Sequence, residues 1–241
     1  MKIKKHITAL ATAAALSATL PAVAQQSQHM TPETMLSLAR VGASALSPDG
    51  KTVVYSVGFP SIKDNKIRTE LFTISSDGSA RRQITQGVAG VHGARWIQQG
   101  RRISYISSES GAPQVWTMAP DGTDRRQVTN IEGGLSDYLF SPDEKQLAYI
   151  KEISFGKSTK EIYPDLPKAT GRIVTDLMYK HWDEWVETIP HIFIAPVGGE
   201  AITGGKDILE GEPYEAPTKP FGGAEELSWS PDGKTLAYSS R

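Results

Sequence analysis

The chain has 241 residues, 39% of them hydrophobic and 22% charged, with a formal net charge of −1. That is an ordinary globular make-up, long enough for one large domain or two small ones. It has no cysteine, which excludes disulfides, thiol catalysis and cysteine-ligated zinc. The balance of 26 basic against 27 acidic residues gives a nucleic-acid role no support. The five histidines show no His-x-x-x-His or His-Glu-x-x-His spacing, so no metal site and no other cofactor is expected.

Lys2, Lys4 and Lys5 form a basic start, Ile7 to Leu20 is rich in alanine and leucine, and Ala22-Val23-Ala24 matches a small-x-small cleavage site. Residues 1–24 therefore read as a secretory signal peptide, cleaved after Ala24. Their apolar run is shorter than the ~20 residues a membrane span needs. The expectation is a periplasmic or secreted product with no membrane contact after cleavage. Residues 25–43 read as a tether and a short helix, with Thr31 as N-cap, Pro32 at the first helical position and Glu33 near the positive end. Met35, Leu36 and Leu38 are expected to dock that helix on the chain beyond it.

From residue 44 onward one pattern recurs. Leu46-Ser47-Pro48-Asp49-Gly50, Phe140-Ser141-Pro142-Asp143-Glu144 and Trp229-Ser230-Pro231-Asp232-Gly233 each join two alternating apolar runs. Proline presets the first corner, aspartate bonds nearby backbone N–H groups, and glycine accepts positive φ. Trp96 to Tyr105 is a degenerate copy. A second marker, Asp77-Gly78 and then Asp121-Gly122, lies between the turns and is followed each time by Arg-Arg-Gln. His191 to Gly199 is its third copy. Each unit of roughly 45 residues is thus two hairpins, the blade of a β-propeller. Trp96, Phe140 and Trp229 share one repeat position and are expected between blades. The Arg81-Arg82 and Arg125-Arg126 pairs are expected on solvated outer strands.

The fold expected is all-β: an incomplete propeller over 44–241, about three and a half four-stranded antiparallel blades. The third blade carries an insertion, residues 154–190, between its second and third strands. Tyr163-Pro164-Asp165-Leu166-Pro167 reads as an extended loop. Val174, Leu177, Met178, Trp182 and Trp185 recur at helical intervals, which predicts an amphipathic helix over Arg172–Val186. With two strands of a fourth unit before Arg241, the sequence looks cut.

The stretch from Met30 to Val41, the Ser-Pro-Asp-Gly blades and the inserted Asp176-Leu-Met-Tyr-Lys-His-Trp-Asp-Glu-Trp-Val186 together resemble bacterial serine peptidases of the prolyl oligopeptidase family, in their periplasmic dipeptidyl-peptidase branch. The resemblance implies a propeller capping a C-terminal α/β-hydrolase domain that carries Ser, Asp and His. The chain has no Gly-x-Ser-x-Gly; the nearest string, Gly42 to Leu46, lacks the last glycine. No catalytic residue is therefore assigned, the hydrolase domain is a partner expected outside this sequence, and the chain alone should not cut peptides.

The family likeness implies that acidic side chains on the propeller anchor the free α-amino group of oligopeptide substrates. Asp183 and Glu184 are the candidates, with Tyr179, Trp182 and Trp185 as walls. Their alternative is a solvated helix face with the tryptophans packed on a blade. His181, without a nucleophile beside it, reads as a packing or hydrogen-bonding residue. The rival to the peptidase is a non-enzymatic periplasmic propeller binding protein partners, as in the Tol–Pal system. A homodimer stays open.

Overall fold

A computed structural model describes residues 29–175 and 179–241, and the leader, with the start of the tether, lies outside the described residues. The chain divides into two units, 1–35 and 36–241. Helix α1, Pro32–Ser37, begins where expected: the Thr34 N–H donates to Thr31 Oγ1 at 3.1 Å. Met35, Leu36 and Leu38, expected to dock, are each about half exposed.

The second unit holds three four-stranded antiparallel sheets among its described residues. The first is β1 (Arg40–Leu46), β2 (Thr52–Ser61), β3 (Lys66–Ser75) and β4 (Arg82–Gln83). The second is β5 (His92–Ile97), β6 (Arg102–Ser107), β7 (Gln114–Met118) and β8 (Arg126–Gln127). The third begins with β9 (Asp137–Phe140) and β10 (Gln146–Ser154). Helix α2 (Thr159–Ile162) and the hairpin β11 (Lys180–His181) and β12 (Glu184–Trp185) interrupt it. It resumes with β13 (Thr188–Pro196) and β14 (Lys206–Asp207). A fourth unit contributes the hairpin β15 (Leu227–Trp229) and β16 (Leu236–Tyr238). Strands are hydrogen-bonded in chain order within each blade, the meander of a propeller blade. The outermost strands β4, β8 and β14 have two residues each, which leaves little free edge.

The Ser-Pro-Asp turns close as their residues dictate. Ser47 Oγ donates to Asp49 Oδ1 (2.6 Å), the Lys51 N–H donates to the same oxygen (3.1 Å), and the Thr52 N–H donates to Ser47 Oγ (2.9 Å). The same three bonds recur at Ser141–Asp143 and Ser230–Asp232. The serine hydroxyl, then the backbone N–H, holds each of Asp49, Asp143 and Asp232 below its usual pKa. Glu144 takes the glycine's place at φ 56°, and its carboxylate accepts from the Gln98 N–H of the preceding blade. The degenerate copy turns differently, through a short 3-10 stretch at Gln98–Gly100.

Apolar side chains alternate to the two faces of each blade, so every core lies between blades. Val54 and Leu71 of the first blade meet Ile103, Tyr105 and Met118 of the second. Ile106 and Val115 meet Tyr138, Leu147 and Tyr149 of the third. Ile150 and Ile192 meet Ala216, Ala224 and Leu227 before and in the fourth unit. Trp96, Phe140 and Trp229 pack on these three cores as expected. Both indoles reach back one blade, Trp96 Nε1 to the Ala45 carbonyl (3.0 Å) and Trp229 Nε1 to that of Leu139 (3.4 Å). Phe140 cannot donate. There Arg95 binds the Tyr138 carbonyl (2.8 Å) and Asp137 (3.1 Å), while the second Asp137 oxygen accepts from the Ala224 N–H (3.0 Å). One carboxylate thus ties the second, third and fourth units together.

The arginine pairs are exposed at the outer strands, as expected; Arg81 also lies over the Phe72 ring (4.7 Å) and donates to the Tyr55 hydroxyl, and Arg125 reaches the Ile84 carbonyl of the neighbouring blade (3.3 Å). One expectation needs correction. The inserted amphipathic helix is absent among the described residues. Residues 171–175 are irregular and Lys180–Trp185 is a two-residue-turn hairpin; Asp176, Leu177 and Met178 lie outside the described residues. The helical spacing came from valine, leucine, methionine and tryptophan, of which valine and tryptophan fit a pleated strand at least as well. The helix the insertion does contain, α2, starts at a capping box formed by Ser158 and Glu161.

Candidate functional site

The insertion leaves the blade where β10 and β13 end their pairing at Ser154↔Thr188, and the Phe155 N–H closes its neck on the Glu187 carbonyl (3.0 Å). Arg172 Nε pairs with Glu187 at 2.9 Å. Thr159 Oγ1 donates to the Gly171 carbonyl at 2.6 Å, which folds the α2 segment back on the loop that leads to the hairpin. Between them lies a groove of about 850 Å³ whose walls include Phe155, Ile162, Val174, Tyr179 and Trp185.

The hairpin, with Tyr179 just before it, holds all five residues singled out from the sequence. Lys180 pairs with Trp185 and His181 with Glu184, so these pairs take opposite faces of the ribbon. On one side Tyr179 and Trp185 pack with centroids 5.8 Å apart and planes tilted by 34° and line the groove, and Arg172 and Lys180 each lie 4.6 Å from the indole centre. Trp182 and Asp183 form the turn. Trp182 has φ 58°, a left-handed conformation uncommon for a bulky residue, and its exposed ring meets the exposed Phe221 edge-on at 5.6 Å. Asp183 and Glu184 are exposed and do not line the groove. Neither carboxylate has a hydrogen-bond or ion-pair partner among the described residues. They are adjacent, anionic and available, which suits a cationic ligand.

His181 is a hydrogen-bonding residue, as expected, but its partners were not foreseen. Its Nε2 lies 2.9 Å from Glu215 Oε2, and its Nδ1 lies 3.2 Å from Arg241 Nη2. Glu215, with its side chain 6% exposed, also binds the Arg241 guanidinium and accepts from the Lys219 N–H (3.3 Å). A buried carboxylate is tolerable only with such donors. The Glu215 backbone pairs both ways with that of Arg241, each bond 3.1 Å. Nothing in Tyr214-Glu215-Ala216-Pro217 marks this acid in sequence. Its side-chain partners come from residues 34 positions upstream and 26 downstream.

No group of three metal-ligating side chains occurs among the described residues, and no described helix is long and apolar enough to cross a membrane.

No protein-family model matches the chain. It is 62% identical over 214 residues to dipeptidyl-peptidase 5 of Porphyromonas gingivalis, covering 89% of this chain and 31% of that protein. Against dipeptidyl-peptidase 5 of Porphyromonas endodontalis the identity is 49% over 216 residues, covering 90% and 31%. Among solved structures, acylaminoacyl peptidase of Pyrococcus horikoshii matches 76% of this chain and 27% of its own with a TM-score of 0.53 at 12% identity. TolB of Acinetobacter baumannii matches 83% and 37% with a TM-score of 0.51 at 17% identity. These two likenesses show the fold. The chain spans about a third of the length of the curated relatives it matches. Over nearly all of its own sequence, it is a propeller segment similar to the dipeptidyl-peptidase 5 proteins, as the repeated turns and the inserted sequence from Asp176 to Val186 had suggested.

Proposed function

We propose that this chain is the propeller portion of an exported serine exopeptidase that releases dipeptides from oligopeptides. The observation that carries the reading is the 62% identity to dipeptidyl-peptidase 5, over a segment equal to 31% of that protein. The remaining length would supply the hydrolase domain with its serine, aspartate and histidine, so this chain alone is expected to be inactive. The leader at residues 1–24 supports a periplasmic or secreted location.

Within that enzyme the β11–β12 hairpin receives the substrate's free α-amino group. Two adjacent carboxylates, Asp183 and Glu184, can hold an ammonium by charge-assisted hydrogen bonds, which gain strength when a second domain closes water out. Tyr179, Trp182 and Trp185 offer apolar surface for the first side chains. Anchoring the amine fixes the distance to the scissile bond, which turns a peptidase into an exopeptidase, while the blades restrict access to short chains.

The test is a calorimetric titration of this chain with an unblocked tetrapeptide and its N-acetylated twin. At least tenfold weaker binding of the acetylated peptide is expected, with Asp183→Asn/Glu184→Gln removing the difference. Equal affinity for both peptides would end the assignment of the hairpin.

A further inference from the structure

We propose that Glu215 is a positioning residue, which pins the acidic hairpin through His181 and so sets where Asp183 and Glu184 stand. This rests on the reading that the hairpin meets the substrate amine.

The geometry of His181 carries the inference. Its Nδ1 faces Arg241 Nη2 at 3.2 Å, and a guanidinium only donates, so Nδ1 accepts and the ring proton sits on Nε2. That proton is donated to Glu215 Oε2 at 2.9 Å. The ring is thereby fixed in one tautomer, between a cation and a buried anion. His181 and Glu184 are cross-strand partners, and Asp183 adjoins Glu184 in the turn. A ring that cannot rotate therefore fixes the face on which Glu184 stands.

Glu215 is itself immobile. Its backbone is tied to Arg241, the Ala216 N–H donates to the Pro190 carbonyl on β13 (2.9 Å), and Ala216 lies within the core between the third blade and the fourth unit. The carboxylate is tied to the blade by these contacts, and the hairpin leans on it through His181. The two-residue strands β11 and β12 are too short to hold a conformation unaided. The edge contact of Trp182 with Phe221 lies on two exposed rings and is a weak second tether.

The test is amide hydrogen exchange on the intact chain and its Glu215→Ala and Glu215→Gln variants, together with imidazole nitrogen chemical shifts. Glu215→Ala should speed exchange at Val186, whose N–H donates to the Tyr179 carbonyl across the hairpin, by at least tenfold. Exchange at Ile150 and Ile192 in the core strands should not change. Glu215→Gln, which keeps an oxygen for His181 Nε2–H, should restore most of the protection. Wild-type His181 should show the neutral Nε2–H signature. Unchanged exchange at Val186, equal acceleration at Ile150 and Ile192, or an Nδ1–H tautomer would overturn the proposal.

The peptide titration separates the two ideas. Glu215→Ala should weaken the unblocked peptide about tenfold and Glu215→Gln little. If Asp183→Asn/Glu184→Gln leaves that affinity unchanged, the amine site falls, while hydrogen exchange still decides whether Glu215 holds the hairpin.

Discussion

Adding one methyl group at Gly122 should cost far more than adding it at Gly78, although the two glycines occupy the same repeat position. Both lie in Asp-Gly turns, at φ 88° and 86°. An L-residue in that region costs roughly 1–2 kcal/mol, and this is the whole penalty at Gly78, where a new Cβ meets nothing within 4 Å. At Gly122 the Cβ would lie 2.4 Å from the Ile84 carbonyl oxygen and 3.1 Å from its carbon, both backbone atoms of the first blade. The blades must then move apart. Overpacking of this kind adds about 1–3 kcal/mol, for a total of about 2–5 kcal/mol. The shift would strain the Arg125 bond to that same oxygen and loosen the shared core. Urea unfolding of the two Gly→Ala variants, followed by tryptophan fluorescence, reads the difference as a shift in midpoint at constant slope. Midpoints that agree within the error of the fits would refute the close blade contact that the reasoning depends on.

The blade contacts and the turns give two further outcomes. Trp96→Phe should destabilise by about 1 kcal/mol more than its packing change alone, because its bond to Ala45 is 3.0 Å, whereas Trp229→Phe, with a 3.4 Å bond, should lose less; thermal unfolding of the pair checks the order. The turn aspartates Asp49, Asp77, Asp121, Asp143 and Asp232 all have folded pKa values below the ordinary 3.8. Their contribution is complete above the unfolded value and fades as pH falls below about 4 through the lowered folded values. Unfolding midpoints measured from pH 6 to pH 2.5 should drop in that acid range. Ser141→Ala, which removes the largest cause of the Asp143 shift, should flatten part of the drop.

The architecture was legible because it rests on local chemistry said several times. Ser-Pro-Asp-Gly closes its turn with bonds internal to six residues, and the apolar alternation on either side names the faces to be covered. The place of the insertion was legible for the same reason, since the pattern fails between two clear strands. Its internal structure was not. The bulky residues from Val174 to Trp185 fit both a helix and a ribbon, and the choice turns on long-range facts: the ring of Trp185 lies near Arg172 and Lys180, that of Trp182 against Phe221, and His181 on Glu215. The capping box at Ser158 and Glu161 was a readable signal for the helix that does form. Glu215 gave none, because a buried carboxylate is recognised by its donors, and those arrive from His181 and Arg241, 34 positions upstream and 26 downstream.

On the proposed reading, this propeller serves an enzyme that cuts peptides two residues from a free N-terminus. The direct measurement uses the gene product at the full length of its relatives, assayed by mass spectrometry for products from an unblocked hexapeptide and its acetylated form. Release of dipeptides from the first and none from the second is the predicted result. Equal cleavage of both, or cleavage at internal bonds without regard to the terminus, would contradict it.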